Sequence, residues 1–517
     1  MNNLYGYFVI PFLLVISLVI NLGIYPLYLE EPRRAYIALE MIFSGNFIVP
    51  TMMGESYFAK PPFFNWVIIL FYKLLNSYSE WAVRLPTVIS LILLGTFNFL
   101  FVKKFFNKTI GFYSSLFFIL SGTIYFYFSL LGEIDIFYSL IIYLLIISII
   151  YFHLKNNLAY IYIYSFFFAS IGFLTKGFPS VIFLYITLFT VFIFDRQFKR
   201  FFSIYHILGI FIFVLTVGGY FYIYNQYHPI QDYINHLWSE SAGRTVVENK
   251  LQSALIHLIK YPVQSIFALL PFSILVIFMF RKSVFNEIFS NRVLKIIFLV
   301  FIFNYLIYWI SPGANQRYVY MLYPFFILIY TYFYFNHYKE EKFKTNLVKI
   351  FFVFLLALFL IVSLLLPFSK KLSNLPHIWT LSLVFSFVFL FLILMSLKNR
   401  KVLLNLVIGI IFFRILFDFV YLPVKATSGN SYKEKVEGLK VANLTKDRNL
   451  YYLGKDFLPS GFVFYVEREK RQILFKRQNI KPDNFYIIKE KNLKDDLKKA
   501  VVYSFKLKNT TYFLIKP

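Results

Sequence analysis

The feature that most constrains this chain is its series of apolar runs, many long enough to cross a lipid bilayer as helices. Of its 517 residues, 59% are hydrophobic and 15% are charged, and the mean hydropathy is +0.66. A membrane-spanning helix needs about 20 apolar residues, whereas soluble chains contain about a quarter charged residues and lack such runs. The sequence therefore predicts an α-helical integral membrane protein.

We expect about 13 transmembrane helices. The first run follows an N-terminus without Lys or Arg, which favours a retained span over a cleaved signal peptide. The predicted spans are residues 7–24, 84–102, 110–129, 136–152, 158–175, 178–194, 204–223, 261–280, 294–311, 318–335, 348–367, 378–396 and 402–421. Residues 63–75 are too few to cross and include Asn65 and Lys73, so they are expected to form an interfacial helix.

The distribution of basic residues predicts the orientation of these spans. Short basic loops alternate with loops that are long or poor in cations. The basic loops carry Lys103, Lys104 and Lys108; His153 and Lys155; Arg196, Lys199 and Arg200; Arg281, Lys282 and Arg292; Lys339, Lys342 and Lys344; and Lys398, Arg400 and Lys401. Cytoplasmic loops are enriched in Lys and Arg. This pattern predicts a cytoplasmic N-terminus and, with thirteen spans, an extracytoplasmic C-terminal region.

The same distribution accounts for the formal net charge of +27. Lys and Arg lie mainly in short loops and in the last part of the chain, where membrane topology and anionic head groups favour them. We therefore expect no nucleic-acid partner. The chain has no cysteine, which excludes disulfides, thiol nucleophiles and thiolate metal sites.

Two predicted outside loops are long, residues 26–83 and 224–260, and long loops in a compact helical bundle usually carry function. The expected domains are a membrane-embedded catalytic domain, 1–423, and a small extracytoplasmic α/β domain, 424–517. The predicted elements of the latter are helices near 433–444 and 492–500 and strands at 449–453, 462–466 and 511–515.

The first outside loop contains the densest polar cluster. Glu30 and Glu31 are followed at once by Arg33 and Arg34, and Lys60 follows later. Guanidinium groups suit phosphate oxygens, and a nearby cation keeps a carboxylate ionised. The cluster could thus combine a base with an anion clamp; the alternative is a solvated flank with surface ion pairs.

Further charged residues lie at the predicted outer ends of spans or in the second long loop. They are Glu133, Asp135, Lys176, Glu240, Arg244 and Arg317. Ionisable groups next to hydrophobic segments are energetically unfavourable and tend to be functional, although Lys176 could simply snorkel and a lone Arg317 could be an anchor. Their shared predicted face favours the functional interpretation.

Metal and nucleotide sites are not predicted. The seven histidines are scattered without the His/Glu spacing of zinc enzymes, and His236 near Glu240 is more simply a chance pair. No Gly-rich phosphate-binding loop is present. We therefore expect no metal and no cofactor.

A motif that extends from the first outside loop into the second span resembles a known family. In order, it contains Glu30-Glu31-Pro32-Arg33-Arg34, Glu40-Met41, Ser44-Gly45-Asn46, Val49-Pro50, Gly54, Tyr57-Phe58-Ala59-Lys60-Pro61-Pro62, Trp66 and Arg84-Leu85-Pro86. This order is similar to the signature of GT-C type polyprenyl-phosphate-dependent glycosyltransferases, which include lipid A aminoarabinose transferases and protein O-mannosyltransferases. Asp135, Thr175-Lys176-Gly177, Glu240 with Arg244, and Arg317-Tyr318 also have counterparts there.

The resemblance implies a glycosyltransferase, a hexosyl or pentosyl transferase, in the bacterial inner membrane with its site on the extracytoplasmic face. The donor would be an undecaprenyl-phosphate sugar, and the acceptor a lipid, a glycan or a protein. The implied catalytic residues are Glu30, Glu31 and Asp135; the donor phosphate-binding residues are Arg33, Arg34, Lys60 and Arg317; the acceptor-binding or supporting residues are Glu133, Lys176, Glu240 and Arg244. Glu30 would be the base of an inverting displacement.

The sequence departs from the family pattern in two places. The family's first acid is usually Asp, so with Glu30-Glu31 it stays open which glutamate acts. The lipid A branch has Glu before Lys-Pro-Pro and His after the second-loop Glu, a pair that resembles metal ligands, where this chain has Ala59 and Ser241. These departures predict no bound zinc and argue against aminoarabinose transfer to lipid A in particular.

Two other functions are compatible with a polytopic chain. A transporter or flippase of polyprenyl-linked sugars would favour midplane sites and internal repeats, whereas no repeat is evident and the charges cluster outside. A structural protein of envelope assembly would not need the glutamates for function.

Overall fold

The computed structural model describes residues 3–242, 251–373, 375–398 and 401–517. The α-helices are α1 (Asn3–Val19), α2 (Glu31–Ser44), α3 (Phe63–Leu74), α4 (Glu80–Phe105), α5 (Lys108–Ile119), α6 (Gly122–Phe126), α7 (Ile134–Leu154), α8 (Leu158–Lys176), α9 (Pro179–Phe194), α10 (Ile204–Phe213), α11 (Gly219–Tyr227), α12 (Ile230–Ala242), α13 (Leu251–Ala268), α14 (Val284–Ser290), α15 (Arg292–Trp309), α16 (Tyr323–His337), α17 (Lys342–Leu365), α18 (Ile378–Leu397), α19 (Val402–Ala426), α20 (Gly429–Leu444) and α21 (Ser460–Lys470). The strands are β1 (Thr51–Met52), β2 (Glu55–Ser56), β3 (Leu450–Leu453), β4 (Phe485–Lys489), β5 (Val501–Leu507) and β6 (Thr510–Ile515).

Within the described ranges, eight helices are long and apolar enough to cross a membrane. They are Glu80–Phe105, Ile134–Leu154, Leu158–Lys176, Ile204–Tyr227, Arg292–Trp309, Lys342–Phe368, Ile378–Leu397 and Val402–Ala426. A ninth candidate is bent: α5 and the segment Gly122–Leu130 meet at 51° where the sequence predicts one span, 110–129. The other predicted spans correspond to shorter apolar helices (α1, α9, α16) and to α13 with the 3-10 helix Phe272–Met279. The number thirteen therefore stays a prediction.

A buried ion pair holds the bent segment in place. On α19, Arg414 and Asp418 are fully buried and lie 2.8 Å apart. Arg414 also donates to the backbone carbonyl of Tyr125 and to Ser129 Oγ, which both belong to the bent segment. Charged groups are stable inside an apolar bundle only when they are paired and hydrogen-bonded. This pair thus joins the last candidate span to the early part of the bundle.

The first predicted outside loop is an ordered unit made of α2, the β1–β2 hairpin and α3. Its core contains Tyr36, Met53 and Phe64, each no more than 1% exposed. Asn65 on α3 donates to the carbonyl of Arg34 on α2 at 3.1 Å, and α3 itself covers the run predicted as an interfacial helix. Packing of this unit fixes the direction of the α2 side chains that line the site described below.

The C-terminal sheet has the strand order β3-β4-β6-β5. The β3–β4 pair is parallel, and the β4–β6 and β5–β6 pairs are antiparallel. Helices α20 and α21 pack beside it, with Phe462 on α21 stacked on Phe505 on β5 at 5.2 Å. The predicted helix at 433–444 and the predicted strands at 449–453 and 511–515 match α20, β3 and β6.

Two predictions for this region are wrong in type. Residues 462–466, predicted as a strand, lie inside helix α21 and are all at most 1% exposed. A short uninterrupted apolar run fits a buried helix as well as a buried strand, so periodicity could not distinguish them. The helix predicted near 492–500 is present as two 3-10 helices, Glu490–Asn492 and Asp495–Ala500, and not as an α-helix.

The C-terminal region shares an apolar cluster with the first predicted outside loop and also makes polar contacts with the bundle. Tyr465 on α21 accepts a hydrogen bond from the Leu27 amide at 3.0 Å and donates to Glu80 at the start of α4, also at 3.0 Å. Glu80 also pairs with Lys435 at 2.6 Å and with Arg468 at 3.3 Å. These contacts hold the domain against the end of the bundle that carries α2.

Candidate active site

A cavity of about 280 Å³ lies where α2, α7 and the segment before α16 converge. We call it the cationic cavity because five of its lining side chains are Lys or Arg. It is lined by Glu30, Arg33, Arg34, Tyr57, Ala59, Lys60, Glu133, Ile134, Asp135, Lys176, Arg317 and Tyr318. All four residues predicted to bind the donor phosphate are among them. Residues as far apart in sequence as Glu30 and Tyr318 therefore meet in one cavity.

The start of α2 determines which side chains face this cavity. Glu30 precedes the helix, and Pro32 occupies its first turn, a position that favours proline. Glu30 forms an ion pair with Arg33 one helical turn later and remains 45% exposed. Its carboxylate is thus accessible and has the Arg33 guanidinium beside it.

The adjacent Glu31 lies outside this cavity and is fully buried. Arg84 on α4 donates to both of its carboxylate oxygens, at 2.8 and 3.3 Å. The amides of Tyr28 and Gly132 also donate to Glu31, at 3.0 and 2.9 Å. A carboxylate with all these partners and no exposure is a structural group, so the geometry favours Glu30 over Glu31 as a base.

On the opposite wall, Asp135 is held between two cations. Lys176 Nζ lies 2.5 Å from Asp135 Oδ1, and Arg317 Nη1 lies 3.6 Å from Asp135 Oδ2. Arg317 also contacts Glu133 Oε2 at 3.3 Å. Both carboxyl groups are 4% exposed, whereas Arg317 is 33% exposed. Asp135 and Glu133 therefore orient Arg317 from behind while part of its guanidinium stays open.

Glu133 has an unusual protonation equilibrium. Burial, with the nearby Asp135 carboxylate, raises the pKa of Glu133 to about 7, although Arg317 opposes the shift. Its Oε1 is buried and has no hydrogen-bond partner among the described residues. Glu133 can therefore change charge near neutral pH, unlike an ordinary glutamate.

Two arginines of the cavity have unused donors. Within the described part of the chain, Arg33 Nε and Arg34 Nη1 are buried and have no hydrogen-bond partner. A buried guanidinium N–H without an acceptor is unfavourable, and a phosphate oxygen is the acceptor that guanidinium groups match best. The arrangement can therefore bind a phosphate next to an ionised carboxylate.

Two predicted residues fall at or beyond the limits of the described structure. Glu240 belongs to helix α12, but its side chain, like the whole of Arg244, lies outside the described residues. Their supporting role stays a prediction. Where the structure is described, no group of three or more His, Asp or Glu side chains could hold a metal ion.

Sequence reasoning did not identify the partner of Glu31. Arg84 lies inside the long apolar helix α4 and is 0% exposed. A single arginine in an apolar helix requires a buried acceptor, and that signal could have pointed to an acid in the preceding loop. The lining aromatic residues Tyr57 and Tyr318 lie in the quoted motifs, but no role was assigned to them.

Several known proteins are similar to this chain or to parts of it. The family model described as dolichyl-phosphate-mannose-protein mannosyltransferase matches residues 59–220. Two curated relatives are undecaprenyl phosphate-α-4-amino-4-deoxy-L-arabinose arabinosyl transferases of Proteus mirabilis. Transferase 2 is 35% identical over 88 residues, 17% of this chain and 16% of that protein. Transferase 1 is 27% identical over 234 residues, 43% of this chain and 41% of that protein, so the chain matches less than half of either relative.

The solved structures extend the similarity over the whole chain. ArnT from Cupriavidus metallidurans bound to undecaprenyl phosphate superposes with a TM-score of 0.70 at 13% identity, covering 98% of this chain and 97% of that chain. The fold is that of ArnT. Its apo structure gives a TM-score of 0.69 at 14% identity, with 99% and 98% covered. The family model, the curated relatives and the shared fold all agree with the resemblance to GT-C type polyprenyl-phosphate-dependent glycosyltransferases, and the structural match includes the C-terminal region.

Proposed function

We propose that this protein is a membrane glycosyltransferase that moves a sugar from a polyprenyl phosphate, such as undecaprenyl phosphate, to an acceptor. The observation that carries the proposal is the cationic cavity, in which an accessible carboxylate, Glu30, lies beside Arg33 and among four other Lys and Arg side chains. The ArnT fold supports the same function.

The reaction is a direct displacement at the sugar carbon bonded to phosphate. The acceptor oxygen or nitrogen forms a bond to that carbon while the carbon–oxygen bond to the phosphate breaks. The acceptor proton passes to Glu30, and polyprenyl phosphate leaves with the electron pair. Glu30 acts as general base, and its contact with Arg33 holds the carboxylate in the cavity.

The cations act on the leaving group. Negative charge develops on the phosphate as the bond breaks, so fixed cations at this point stabilise the transition state more than the ground state. We assign this role to Arg33, Arg34, Lys60 and Arg317. Asp135 positions Arg317 and is itself held by Lys176 at 2.5 Å, which keeps the guanidinium directed at one place before the substrate binds.

A transfer assay with the purified full-length protein tests the proposal. The protein in lipid nanodiscs is supplied with undecaprenyl-phosphate sugars and with envelope extract from a strain that lacks the gene. Mass spectrometry then follows polyprenyl phosphate and the glycosylated product. We expect both to form together. Movement of an intact donor between leaflets of proteoliposomes, without cleavage, would instead indicate a flippase.

The proposed location is the bacterial inner membrane, with the cavity and the domain 424–517 on the extracytoplasmic side. The absence of native cysteine permits a direct test. Single cysteines replace Asp496 on the C-terminal domain and Lys339 in a predicted cytoplasmic loop, both exposed in the structure. An impermeant maleimide added to intact spheroplasts should label only the first. Labelling of only the second would reverse the proposed orientation.

A further inference from the structure

A second cavity of about 510 Å³ lies between the first outside loop and the C-terminal domain. We call it the junction cavity. One wall is the segment 27–30 with Pro32, and the opposite wall comes from α20, the start of α21 and the β5–β6 turn. Glu30 lines both the junction cavity and the cationic cavity. Ligands bound in the two cavities would therefore both contact the carboxylate of Glu30.

The two cavities differ in charge. Five Lys or Arg side chains and three carboxyl groups line the cationic cavity. The charged residues that line the junction cavity are Glu30, Glu434 and Lys508. Lys425 is nearby, over the ring of Tyr28 at 5.3 Å, but is not among the lining residues. The junction cavity thus has no cluster of cations that would attract a phosphate group.

The position of Glu434 is fixed by the fold. Its side chain is buried, with the residue 8% exposed, and it accepts a hydrogen bond from the backbone N–H of Gly461. A Cβ atom on Gly461 would come too close to the Glu434 carboxylate, so a larger residue there would displace the carboxylate from this position. Lys508 lies on the facing β5–β6 turn and interacts electrostatically with Glu434. An anionic ligand would have to approach this buried carboxyl group.

The remaining lining side chains combine hydrogen-bonding groups with aromatic rings. Asn430, Ser431 and Ser460 offer amide and hydroxyl groups, and Tyr28 and Phe457 offer ring surface. Phe457 is 45% exposed, and Lys476 Nζ lies over one face of its ring at 3.4 Å. Uncharged hydrogen-bonding groups and an accessible apolar ring match the hydroxyl groups and the C–H faces of a sugar.

We propose that the junction cavity is the acceptor site and that it takes a neutral saccharide, one of whose hydroxyl groups reaches Glu30. This inference rests on the proposed function and names its acceptor class. The donor phosphate then occupies the cationic cavity, and Glu30 receives the proton of the sugar hydroxyl as the new glycosidic bond forms. The C-terminal domain thereby becomes part of the binding site.

Filling the cavity tests the inference. Ser431→Trp places a large side chain on the α20 wall, and Lys433→Trp, on an exposed position of the same helix, is the matched control. Each full-length variant is returned to a strain lacking the gene, and envelope glycans and lipids are analysed by mass spectrometry. We expect Ser431→Trp to reduce the glycosylated product about 100-fold, because a displaced acceptor loses its reactive geometry. Lys433→Trp should match the unaltered protein.

Undecaprenyl phosphate binding to the purified variants, measured by native mass spectrometry, separates the possible failures. We expect Ser431→Trp to bind undecaprenyl phosphate like the unaltered protein, which also shows that it is folded. If Ser431→Trp forms normal product, or if the transferred sugar is attached to a phosphate group or a protein side chain, the acceptor inference is overturned. If the unaltered protein neither binds undecaprenyl phosphate nor transfers sugar, the proposed function itself fails.

Discussion

Glu31 and Arg84 form a fully buried two-point ion pair across 53 residues of sequence, with the Arg84 Nε to Glu31 Oε2 distance at 2.8 Å. Arg84 also donates to the carbonyls of Leu22, Tyr25 and Pro26. The pair therefore ties the end of the first apolar segment to α4 and sets where α2 begins. Of two adjacent glutamates, one maintains the fold and the other faces the cavity.

We expect Glu31→Gln to destabilise the protein. The substitution keeps the shape of the side chain but leaves the Arg84 charge buried without its counter-ion, which costs about 3–5 kcal/mol. Thermal unfolding in detergent, followed by tryptophan fluorescence, should show a lower Tm. The double variant Glu31→Gln/Arg84→Met should be less destabilised than the sum of the two single variants. Strict additivity would contradict the pairing.

The substitution Glu30→Gln at the adjacent position should reduce sugar transfer and leave the stability of the protein nearly unchanged. Glu30 is 45% exposed and contacts Arg33 at the surface, so its amide should leave the Tm nearly unchanged. Loss of the proton acceptor should reduce transfer about 100- to 10,000-fold. The transfer assay measures the rate, and native mass spectrometry checks that undecaprenyl phosphate still binds. A Glu30→Gln enzyme with normal turnover would remove Glu30 from the mechanism.

Binding of undecaprenyl phosphate should depend on the protonation of Glu133, whose pKa is raised to about 7. Ionised Glu133 competes for Arg317, which it contacts at 3.3 Å. Affinity should therefore fall as pH rises through about 7, because the anion favours the protonated form of Glu133. The phosphate of the ligand also titrates, so Glu133→Gln serves as the reference. In this variant the ligand still titrates, but residue 133 does not. Identical pH profiles for the two proteins would contradict this coupling.

Docking of the C-terminal domain should weaken as pH rises. Burial, together with the Glu40 carboxyl group beside it, raises the pKa of Glu467 well above its ordinary value. A carboxyl group whose pKa is higher in the folded state stabilises the protein at low pH. That stability is lost as pH rises above the unfolded pKa of about 4.3. Glu467 joins α21 to α2 and faces Glu40, the Leu474 amide and Tyr36.

The variant Glu467→Gln tests this prediction. Its amide can donate to ionised Glu40 without titrating, so Tm should change less with pH than in the unaltered protein. Asp496→Asn, at an exposed position, is the control and should keep the original pH dependence. A Glu467→Gln protein whose Tm falls with pH as steeply as the control would show that the pair is not the titrating group.

Seven residues that the sequence analysis singled out lie together in the structure, although their functional roles stay a prediction. Glu30, Arg33, Arg34 and Lys60 come from one loop, and Asp135, Lys176 and Arg317 come from the outer ends of spans; the structure places all seven in one cavity. What the sequence could not resolve was the division of labour between Glu30 and Glu31. That division depends on the contact between Glu31 and Arg84 on α4, which lies 53 residues later in the sequence.

The fold was predictable where periodicity and length were decisive. Long apolar runs identified the helices of the bundle, but the bend between α5 and Gly122–Leu130 depends on tertiary contacts such as the Gly122 amide donating to the Leu270 carbonyl at 2.8 Å. The C-terminal segment 462–466 is predicted as one of several alternating strands, although its apolar residues are contiguous and fit a buried helix equally well. Its helical state follows from burial against both α2 and the sheet.

Glu40 connects the β1–β2 hairpin to α2, and this connection affects how the cationic cavity would bind a phosphate. Its carboxylate accepts hydrogen bonds from Thr51 Oγ1 and from the amides of Met53 and Gly54. These bonds attach the tip of the β1–β2 hairpin to α2. The strand that leads to Lys60 is therefore anchored to the helix that carries Arg33 and Arg34. An incoming anion finds its cations already assembled, and little chain entropy has to be lost on contact.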